Sequence, residues 1–454
     1  MAETAHSAKN PAAQELKRWL TAFDSTNRAT YHAFIFKDFP ARAAHSTQDE
    51  GLWGNTGGFD IRKLQEKTPT EATAVLQERS GDEFASVTLH LDPANPHRII
   101  RMDLFPIPRP AGVSFPHLSE KDLIAALRVQ LRRSVTAGRF SGAVLVAKNG
   151  KLIFERAYGF ADREHHAPNT LDTRFTIGSI NKLFTSVAIL QLVQAGKLRL
   201  DDPLSRYLPN YLNHALATKV TVRELLTNTG GTGDIWGKAY DQHRLELHTL
   251  ADYVKLYGDR PLRFEPGSRW EYSNYGFILL GRIVEVASGE SYDKYVREHI
   301  FDPAGMSSTG PIPESQPVSY TRNGTGKWHP VIEQPPYRGT SAGGGYSTVG
   351  DLLRFANALD QHKLLKVQLT NQATTGQVKN QYGFYDGFGF GVESFNGTQC
   401  FGHNGAGAGV NADLEICGNS KWIVISLANL DPPAAQQISG YIMDRLPLDR
   451  QKLK

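Results

Sequence analysis

The chain has 454 residues, a formal net charge of +4 and 40% hydrophobic residues, which is typical of a globular protein. Basic and acidic side chains are interspersed, without a run of about five or more like charges, so nucleic acid is not an expected partner. No stretch of about eighteen or more apolar residues is present to cross a membrane, so no membrane span is expected.

The length predicts one large unit of about 250 to 350 residues together with a smaller one. In the first segment, residues 16–23 place apolar side chains on one face of a short amphipathic helix, and a second apolar run follows at 31–39. Residues 87–91 and 99–104 read as strands, which predicts a small α+β domain. Four prolines within residues 106–116 indicate a linker. The predicted domains are therefore 1–117 and 118–454.

The second segment begins with a predicted helix from Ser119, whose side chain caps the helix with Asp122 three residues on. Apolar runs at 142–148 and 151–157 flank Asn149-Gly150, a strong hairpin signal. Helical patterns follow, and strands are predicted at about 399–405, 410–417 and 421–428, before a last helix near 433–446. Strands from both ends of this segment are expected to share one sheet.

A serine and a lysine three residues apart open an apolar helical run. The run begins at Ser179 and Lys182 and ends at Gly196, so both side chains are expected on one face of the first helical turn. Free backbone N–H groups and the helix dipole stabilise a negative oxygen there, and a desolvated lysine can help to remove the serine proton. The same spacing in Ser291 and Lys294 is interpreted as a helix cap.

Two further segments carry polar side chains where a site could form. Tyr272 and Asn274 lie on a loop that follows a proline-glycine turn and precedes an apolar helix. His403, Asn404 and Gly405 lie on a late strand, and the small residues after them let a substrate approach the backbone. Taken singly, each of these residue types more often has a structural role.

In this order, the three segments resemble the serine β-lactamase and penicillin-binding protein superfamily, with its Ser-x-x-Lys helix, Tyr-x-Asn loop and Lys/His-x-Gly strand. The resemblance covers about residues 119–446 and includes connecting sequence at 196–204, 264–281 and 302–306. It implies an α/β (α+β) fold with a β-lactamase/transpeptidase-like catalytic domain of antiparallel sheet and helices, similar to class C β-lactamases and family VIII esterases. The small N-terminal α+β domain loosely resembles the nuclear-transport-factor-2 type.

The resemblance implies a role for each matching residue. Ser179 is the expected nucleophile, Lys182 lowers the pKa of its neighbours, and Tyr272 is the general base, as a phenolate or through a shared proton. The backbone N–H groups of Ser179 and Ala406 are the expected oxyanion hole. The expected substrate-binding residues are Asn274, His403, Asn404 and Gly405.

Two departures from the family pattern bear on the substrate. Many relatives carry a lysine where this chain has His403, and a neutral imidazole binds a substrate carboxylate poorly. Neutral esters or peptides are therefore expected over efficient β-lactam turnover. Residues 225–231 read Leu-Leu-Thr-Asn-Thr-Gly-Gly where relatives often have Leu-Leu-Thr-His-Thr-Ser-Gly, which leaves the shape of that loop open.

The sequence thus predicts a serine hydrolase that forms an acyl-enzyme, with a carboxylic ester as the expected substrate. The alternatives are a D-amino-acid-directed peptidase or amidase, a weak β-lactamase, and a non-catalytic sensor that binds such ligands. An α/β-hydrolase is not expected. Zinc motifs are absent, so no metal and no cofactor are expected. The expected partner is a small-molecule or peptide substrate, and the oligomeric state stays open.

The two cysteines, Cys400 and Cys417, flank a predicted hairpin. A disulfide and two free thiols are both compatible with this spacing. The first residues lack the basic start and apolar centre of a signal peptide. The family resemblance implies a periplasmic or secreted setting, and a cytoplasmic one stays open.

Overall fold

The computed structural model describes residues 10–312, 317–322, 327–331, 339–419 and 421–448. It divides into two compact units, one formed by Met1–Ser114 with Arg322–His329, the other by Phe115–Thr321 with Pro330–Lys454. Within the described ranges, none of the helices combines the length and the apolar character needed to cross a membrane.

The smaller unit packs helices against a four-stranded antiparallel sheet whose strands follow chain order. The apolar face predicted for its first helix is buried, which confirms that helix. Two of its strands were not predicted, and the first of them is mostly exposed, so its sequence carries little apolar alternation. Its elements are α1 (Pro11–Phe23), α2 (Arg28–Asp38), a 3₁₀ helix (Pro40–His45), α3 (Ser46–Thr56), β1 (Phe59–Thr68), β2 (Glu71–Glu78), β3 (Phe84–Asp92) and β4 (Asn95–Ile107).

The larger unit contains helices and strands that alternate irregularly along the chain. Its α-helices are α4 (Glu120–Thr136), α5 (Asn181–Gln194), α6 (His214–Lys219), α7 (Val222–Leu226), α8 (Lys238–His243), α9 (Leu250–Tyr257), α10 (Asn274–Ser288), α11 (Tyr292–Val296), α12 (Asp302–Ala304), α13 (Val349–Asp360), α14 (Val367–Thr374) and α15 (Ala434–Met443), with a 3₁₀ helix at Leu204–Arg206 and a π-helical turn at Arg297–Phe301.

Most strands of this unit belong to one sheet. The strands that follow α4 in the chain are β5 (Gly142–Lys148), β6 (Lys151–Tyr158), β7 (Phe160–Asp162), β8 (Ala167–Pro168), β9 (Phe175–Gly178), β10 (Tyr320–Arg322), β11 (Trp328–Pro330), β12 (Gly345–Ser347), β13 (Val378–Lys379), β14 (Tyr385–Asp386), β15 (Gly391–Phe395), β16 (Thr398–Gly407), β17 (Val410–Cys417) and β18 (Trp422–Ala428); β10 and β11 each include residues of both units.

The main sheet has eight strands in the order β13-β14-β15-β16-β17-β18-β5-β6. Strand β18 pairs antiparallel with β5, which confirms that strands from both ends of the segment share one sheet. Asn149 and Gly150 both have positive φ and join β5 to β6, as the hairpin signal predicts. Ser119 caps α4 by accepting from the N–H of Asp122, also as predicted.

The core of the larger unit places a helix end next to a sheet strand. Helix α5 is buried along most of its length and packs against α10, α11 and β16. The short strand β9, which leads into α5, pairs with β12 and also contacts β16 and β17. This packing brings the chain just before α5 against the middle of the main sheet. Beside it, Cys400 and Cys417 face each other across β16 and β17 and are joined by a disulfide.

Candidate active site

Ser179 lies in the turn between β9 and α5. We predicted it in the first turn of the helix, but α5 begins at Asn181. The reason is a tighter local turn, in which the N–H of Lys182 bonds to the carbonyl oxygen of Ser179 at 2.9 Å. Lys182 is in the first turn of α5 and its side chain still reaches Ser179. The Ser291 to Lys294 run is a helix cap, as predicted.

Two functional groups contact the Ser179 hydroxyl. The Nζ atom of Lys182 lies 3.0 Å from Ser179 Oγ, and the phenol of Tyr272 lies 2.8 Å from the same atom. Tyr272 immediately precedes Ser273, the residue whose side chain caps α10. Ser179 and Tyr272 are partly exposed, whereas Lys182 is completely buried. The hydroxyl is therefore held between an enclosed amine and a phenol, within reach of solvent.

The amine of Lys182 has two further partners inside the protein. It donates to the side-chain oxygen Oδ1 of Asn274 at 2.7 Å, and it donates to the carbonyl oxygen of Ala342. Burial disfavours the charged amine and lowers the pKa of Lys182 to about 7, while the carboxylate of Asp234 acts in the opposite sense. Near neutral pH, a large fraction of Lys182 is therefore an uncharged amine.

The phenol of Tyr272 is shifted in the other direction. Burial raises the pKa of Tyr272 well above its ordinary value, and the carboxylates of Asp234 and Asp386 add to this, while the bond to Ser179 opposes it. The phenol therefore keeps its proton in the unliganded site. Of the two groups that touch Ser179, the lysine amine is the one whose pKa suits a base at neutral pH.

His403 lies on β16 with its ring 6.4 Å from the ring of Tyr272, measured between centroids. Its Nδ1 contacts the carbonyl oxygen of Asn404, and because a carbonyl only accepts, Nδ1 carries the proton. Burial and the nearby Lys182 lower the pKa of His403 to about 4. At neutral pH the imidazole is uncharged, with Nε2 left as an acceptor.

Asn404 enters this region through its backbone rather than its side chain. Successive side chains on a strand point to opposite faces, so the Asn404 side chain lies on the face away from His403. Asn404 pairs with Asp413 on the neighbouring strand β17. The carboxylate of Asp413 accepts a hydrogen bond from Ser439 of α15 on that other face. The Asn404 carbonyl, in contrast, holds the His403 ring.

Two glycines allow the backbone of β16 to come close to the chain before Ser179. A Cβ atom at Gly178 would lie 3.0 Å from Cα of Gly405 and 3.1 Å from the backbone nitrogen of Ala406. A Cβ atom at Gly405 would overlap with the carbonyl oxygen of Ile177. The close approach brings the backbone nitrogen of Ala406 next to Gly178, the residue before Ser179.

Two parts of the site were not singled out from the sequence. Asp234 accepts hydrogen bonds from the backbone N–H of Asn274 at 3.1 Å and from its side-chain Nδ2 at 3.2 Å. Ala342 contributes only a carbonyl oxygen, which no side-chain pattern reveals. For Asp234 a signal was present, because it follows the glycine-rich end of the 225–231 segment.

The altered 225–231 segment has a defined role in the structure. Asn228, at φ 56°, accepts from the N–H of Ser273 and donates to the carboxylate of Asp386 at 3.3 Å. The indole N–H of Trp270 donates to the same carboxylate at 2.6 Å. Asn228 and Asp386 thus hold both ends of the Trp270 to Ser273 stretch that carries Tyr272.

Among the described residues, one group of three side chains could offer ligands to a metal ion. It consists of Glu290, Glu298 and His299, whose ligand atoms lie within 4.8 Å of one another, and the last two are exposed. None of these residues contacts Ser179, Lys182 or Tyr272 in the hydrogen bonds described above. The chemistry available at Ser179 is that of a hydroxyl, an amine, a phenol and backbone N–H groups.

Comparison with known proteins gives a consistent match over the larger unit. The family model described as beta-lactamase matches residues 125–445. The Bacillus subtilis protein PbpX, named for penicillin binding, is 31% identical over 297 residues, covering 64% of this chain and 71% of PbpX. Esterase EstB of Burkholderia gladioli is 34% identical over 221 residues, 45% of this chain and 56% of EstB. The chain therefore spans just over half of EstB.

A solved structure has a similar fold. The crystal structure of a penicillin-binding protein from Bacillus halodurans superposes with a TM-score of 0.61 at 31% sequence identity. The match covers 70% of this chain and 98% of that protein. The smaller N-terminal unit accounts for much of the unmatched part of this chain, because the family match begins at residue 125.

Proposed function

This chain belongs to the beta-lactamase family, and from that premise we propose that it is a serine hydrolase that acts on carboxylic esters through an acyl-enzyme on Ser179. The single observation that carries the proposal is the convergence of Lys182 and Tyr272 on the Ser179 hydroxyl, at 3.0 and 2.8 Å. A hydroxyl is a weak nucleophile unless an adjacent base takes its proton. The site supplies such a base at hydrogen-bonding distance.

Lys182 is the proposed base, in place of Tyr272, to which the family resemblance gave that role, because of how the hydrogen atoms of Lys182 are used. A neutral amine has two hydrogens and one lone pair, and the oxygens of Asn274 and Ala342 can only accept. The two hydrogens go to these oxygens. The lone pair is then left for the third neighbour, Ser179, and can take the proton of its hydroxyl.

In the first step, Ser179 Oγ bonds to the ester carbonyl carbon while its proton passes to Lys182 Nζ. The carbonyl oxygen becomes an oxyanion, which the backbone N–H groups of Ser179 and Ala406 are proposed to stabilise. The close packing of Gly178 and Gly405 supports this, since a Cβ atom at Gly178, the residue before Ser179, would lie 3.1 Å from the backbone nitrogen of Ala406. Removal of one such donor typically lowers the rate by about a hundredfold to a thousandfold.

In the second step, the C–O bond to the leaving group breaks and the departing alkoxide takes a proton. Tyr272 is proposed to deliver it, because its phenol stays protonated, and the resulting phenolate then takes the proton that Lys182 gained from Ser179. A water molecule then attacks the acyl-enzyme, its proton returns by the same groups, and the acid leaves with Ser179 restored. Each of these groups therefore regains its starting protonation state after each cycle.

The ester preference is supported by the uncharged state of His403. A substrate with a free carboxylate gains from a cation at this position, and the lowered pKa of His403 removes that cation at neutral pH. Neutral esters lose nothing by this. The similarity to EstB, an esterase by name, supports the same choice.

A peptidase or amidase acting on D-amino-acid peptides is the second candidate. It is supported by PbpX and the Bacillus halodurans structure, both named for penicillin binding. Hydrolysis of short acyl esters and of D-Ala-D-Ala peptides by the full chain, with Ser179→Ala as the control, separates the two. Faster turnover of esters is expected, and peptide turnover with inert esters would overturn the ester assignment.

We also propose a periplasmic or secreted setting. The disulfide between Cys400 and Cys417 supports it, since disulfides persist mainly in oxidising compartments. Fractionation of cells that produce the full-length natural protein tests this, and recovery only with the reduced cytoplasmic fraction would contradict it.

A further inference from the structure

The orientation of the Asn274 side-chain amide is decided by a carboxylate outside the Ser179 contacts. The amide has an accepting end, Oδ1, and a donating end, Nδ2, and the two can exchange by a half-turn. Asp234 is a pure acceptor and lies 3.2 Å from Nδ2. The donating end is therefore directed at Asp234, and Oδ1 is directed at Lys182, 2.7 Å away.

Asp234 is itself held in place by the backbone. Its Oδ1 accepts from the N–H of Ile235 at 2.7 Å and from the N–H of Asn274 at 3.1 Å. Its own carbonyl oxygen accepts from the guanidinium of Arg260 at 2.7 Å. These contacts leave Oδ2 as the atom that faces the Asn274 amide.

We propose that Asp234 is a positioning residue of this site. By fixing the orientation of the Asn274 amide, Asp234 causes Lys182 to donate one hydrogen bond to Asn274. The lone pair of the amine is then left facing Ser179. Were the amide turned, its NH₂ group would face the amine, and Lys182 would lose an acceptor. The neutral amine would then have a hydrogen to point at Ser179 instead of a lone pair. The inference rests on the proposed function, because it assumes that Lys182 is the base.

The charge of Asp234 has a second consequence for the same amine. A carboxylate near Lys182 favours the charged amine, so Asp234 raises the pKa of Lys182 against the larger effect of burial. Removal of this charge should lower the pKa of Lys182 further. The other titratable and charged groups around this pair are Tyr272 and His403 next to Lys182, Asp386 near Tyr272, and Tyr257 and Arg260 on the Asp234 side.

Asp234→Asn tests the proposal with little change of shape. The amide keeps an acceptor for the two backbone N–H groups but presents a donor where Oδ2 was, so the Asn274 amide loses the partner that orients it. The measurement is the rate at which a fluorophosphonate labels Ser179, followed from about pH 5 to pH 9. This readout needs the nucleophile and its base but no particular ester.

The expected result has two parts. At the optimal pH the labelling rate falls by about tenfold or more, as for loss of a hydrogen bond to a charged group. The acidic limb of the pH profile also moves to lower pH, because the charge that raised the pKa of Lys182 is gone. A purely structural role would lower the rate without moving the limb.

Two further variants serve as controls. Asp241→Asn, an exposed carboxylate on α8, should leave both the rate and the limb unchanged. In the exchange variant, Asp234→Asn with Asn274→Asp, the new amide at position 234 can donate to the new carboxylate at position 274. Ser179 should therefore be labelled faster in this variant than in Asp234→Asn alone. If Asp234→Asn does not fold, Asp234→Glu replaces it: this variant keeps the charge, so the limb should not move, but it displaces the carboxylate, so the rate should fall, and an unchanged rate would contradict the proposal.

The outcomes separate this inference from the proposed function. No labelling of the wild-type Ser179 would overturn the proposed function itself. Normal labelling of the wild type, with the same rate and acidic limb in Asp234→Asn, would overturn only the role of Asp234. An exchange variant no faster than the single variant would also contradict it.

Discussion

Gly178 and Gly405 pack backbone against backbone: a Cβ atom on Gly178 would lie 3.0 Å from Cα of Gly405. Gly405 is the more restrictive of the two, because its Cβ would overlap with the carbonyl oxygen of Ile177. This contact links the turn that carries Ser179 to the strand that carries Ala406. The proposed oxyanion-binding geometry therefore depends on the absence of a side chain at both glycines.

Gly405→Ala should displace β16 from β9 and move the Ala406 N–H away from the oxyanion. We expect kcat to fall by about a hundredfold or more, as for loss of an oxyanion donor, with a smaller change in KM. Steady-state kinetics on a p-nitrophenyl ester measures this. Gly391→Ala on β15 is the matched control, since its Cβ would meet only ordinary contact at 3.6 Å, and equal losses in both variants would contradict the account.

Lys182→Met should abolish activity and yet change the pH dependence of stability in a defined direction. The pKa of Lys182 is lowered from 10.5 to about 7 by folding. Between these values the unfolded chain binds a proton at Lys182 that the folded chain does not. The contribution of Lys182 to the free energy of unfolding therefore rises with pH in this window and is lowest below it.

Relative to Lys182→Met, the wild type should therefore lose stability as the pH falls from about 10 to about 7, by up to about 1.4 kcal/mol per pH unit. Urea unfolding at a series of pH values measures the difference. Lys197→Met, at an exposed lysine after α5, should show no such trend. If the difference in the free energy of unfolding between the wild type and Lys182→Met does not depend on pH, burial does not lower the pKa of Lys182.

Tyr272→Phe removes the proposed proton donor to the leaving group. Alkyl esters release a strongly basic alkoxide and need that proton, whereas p-nitrophenyl esters release a stable anion and need it less. We expect a loss of about a hundredfold on alkyl esters and a clearly smaller one on p-nitrophenyl esters. The same loss on both substrates would argue that Tyr272 only shapes the site. Tyr382→Phe, at an exposed tyrosine, is the control.

The disulfide between Cys400 and Cys417 closes a loop with a sequence separation of 17. Replacing both cysteines by serine should lower the free energy of unfolding by about 3 kcal/mol, because the unfolded chain regains freedom. Denaturant unfolding with and without reductant measures this. Titration of the unfolded, unreduced protein should find no free thiol, and two free thiols would contradict the pairing.

The sequence was sufficient for the fold of the larger unit and for the segments that form the site. Local signals with a direct physical cause, such as the Ser119 cap and the Asn149-Gly150 hairpin, are confirmed. The β-lactamase-like fold, predicted from three motifs that rarely occur together by chance, is confirmed by the family match over residues 125–445 and by the Bacillus halodurans structure. The sequence also indicated which side chains to look for around Ser179.

Contacts that depend on backbone atoms or on the direction of a side chain could not be predicted from the sequence. The carbonyl oxygen of Ala342 has no signature in residue type. Asn404 was expected to bind substrate, and this stays a prediction; strand alternation turns its side chain away from His403, a direction that residue type alone does not reveal. The link from Asp234 through Asn274 to Lys182 likewise needs tertiary structure.

The central claim is that Ser179 is the nucleophile, and intact-mass analysis after reaction with a fluorophosphonate tests it most directly. We expect one adduct on the wild type, located on Ser179 by peptide mapping, slower formation in Lys182→Ala, and none in Ser179→Ala. An adduct of the same mass and yield on Ser179→Ala would contradict the account.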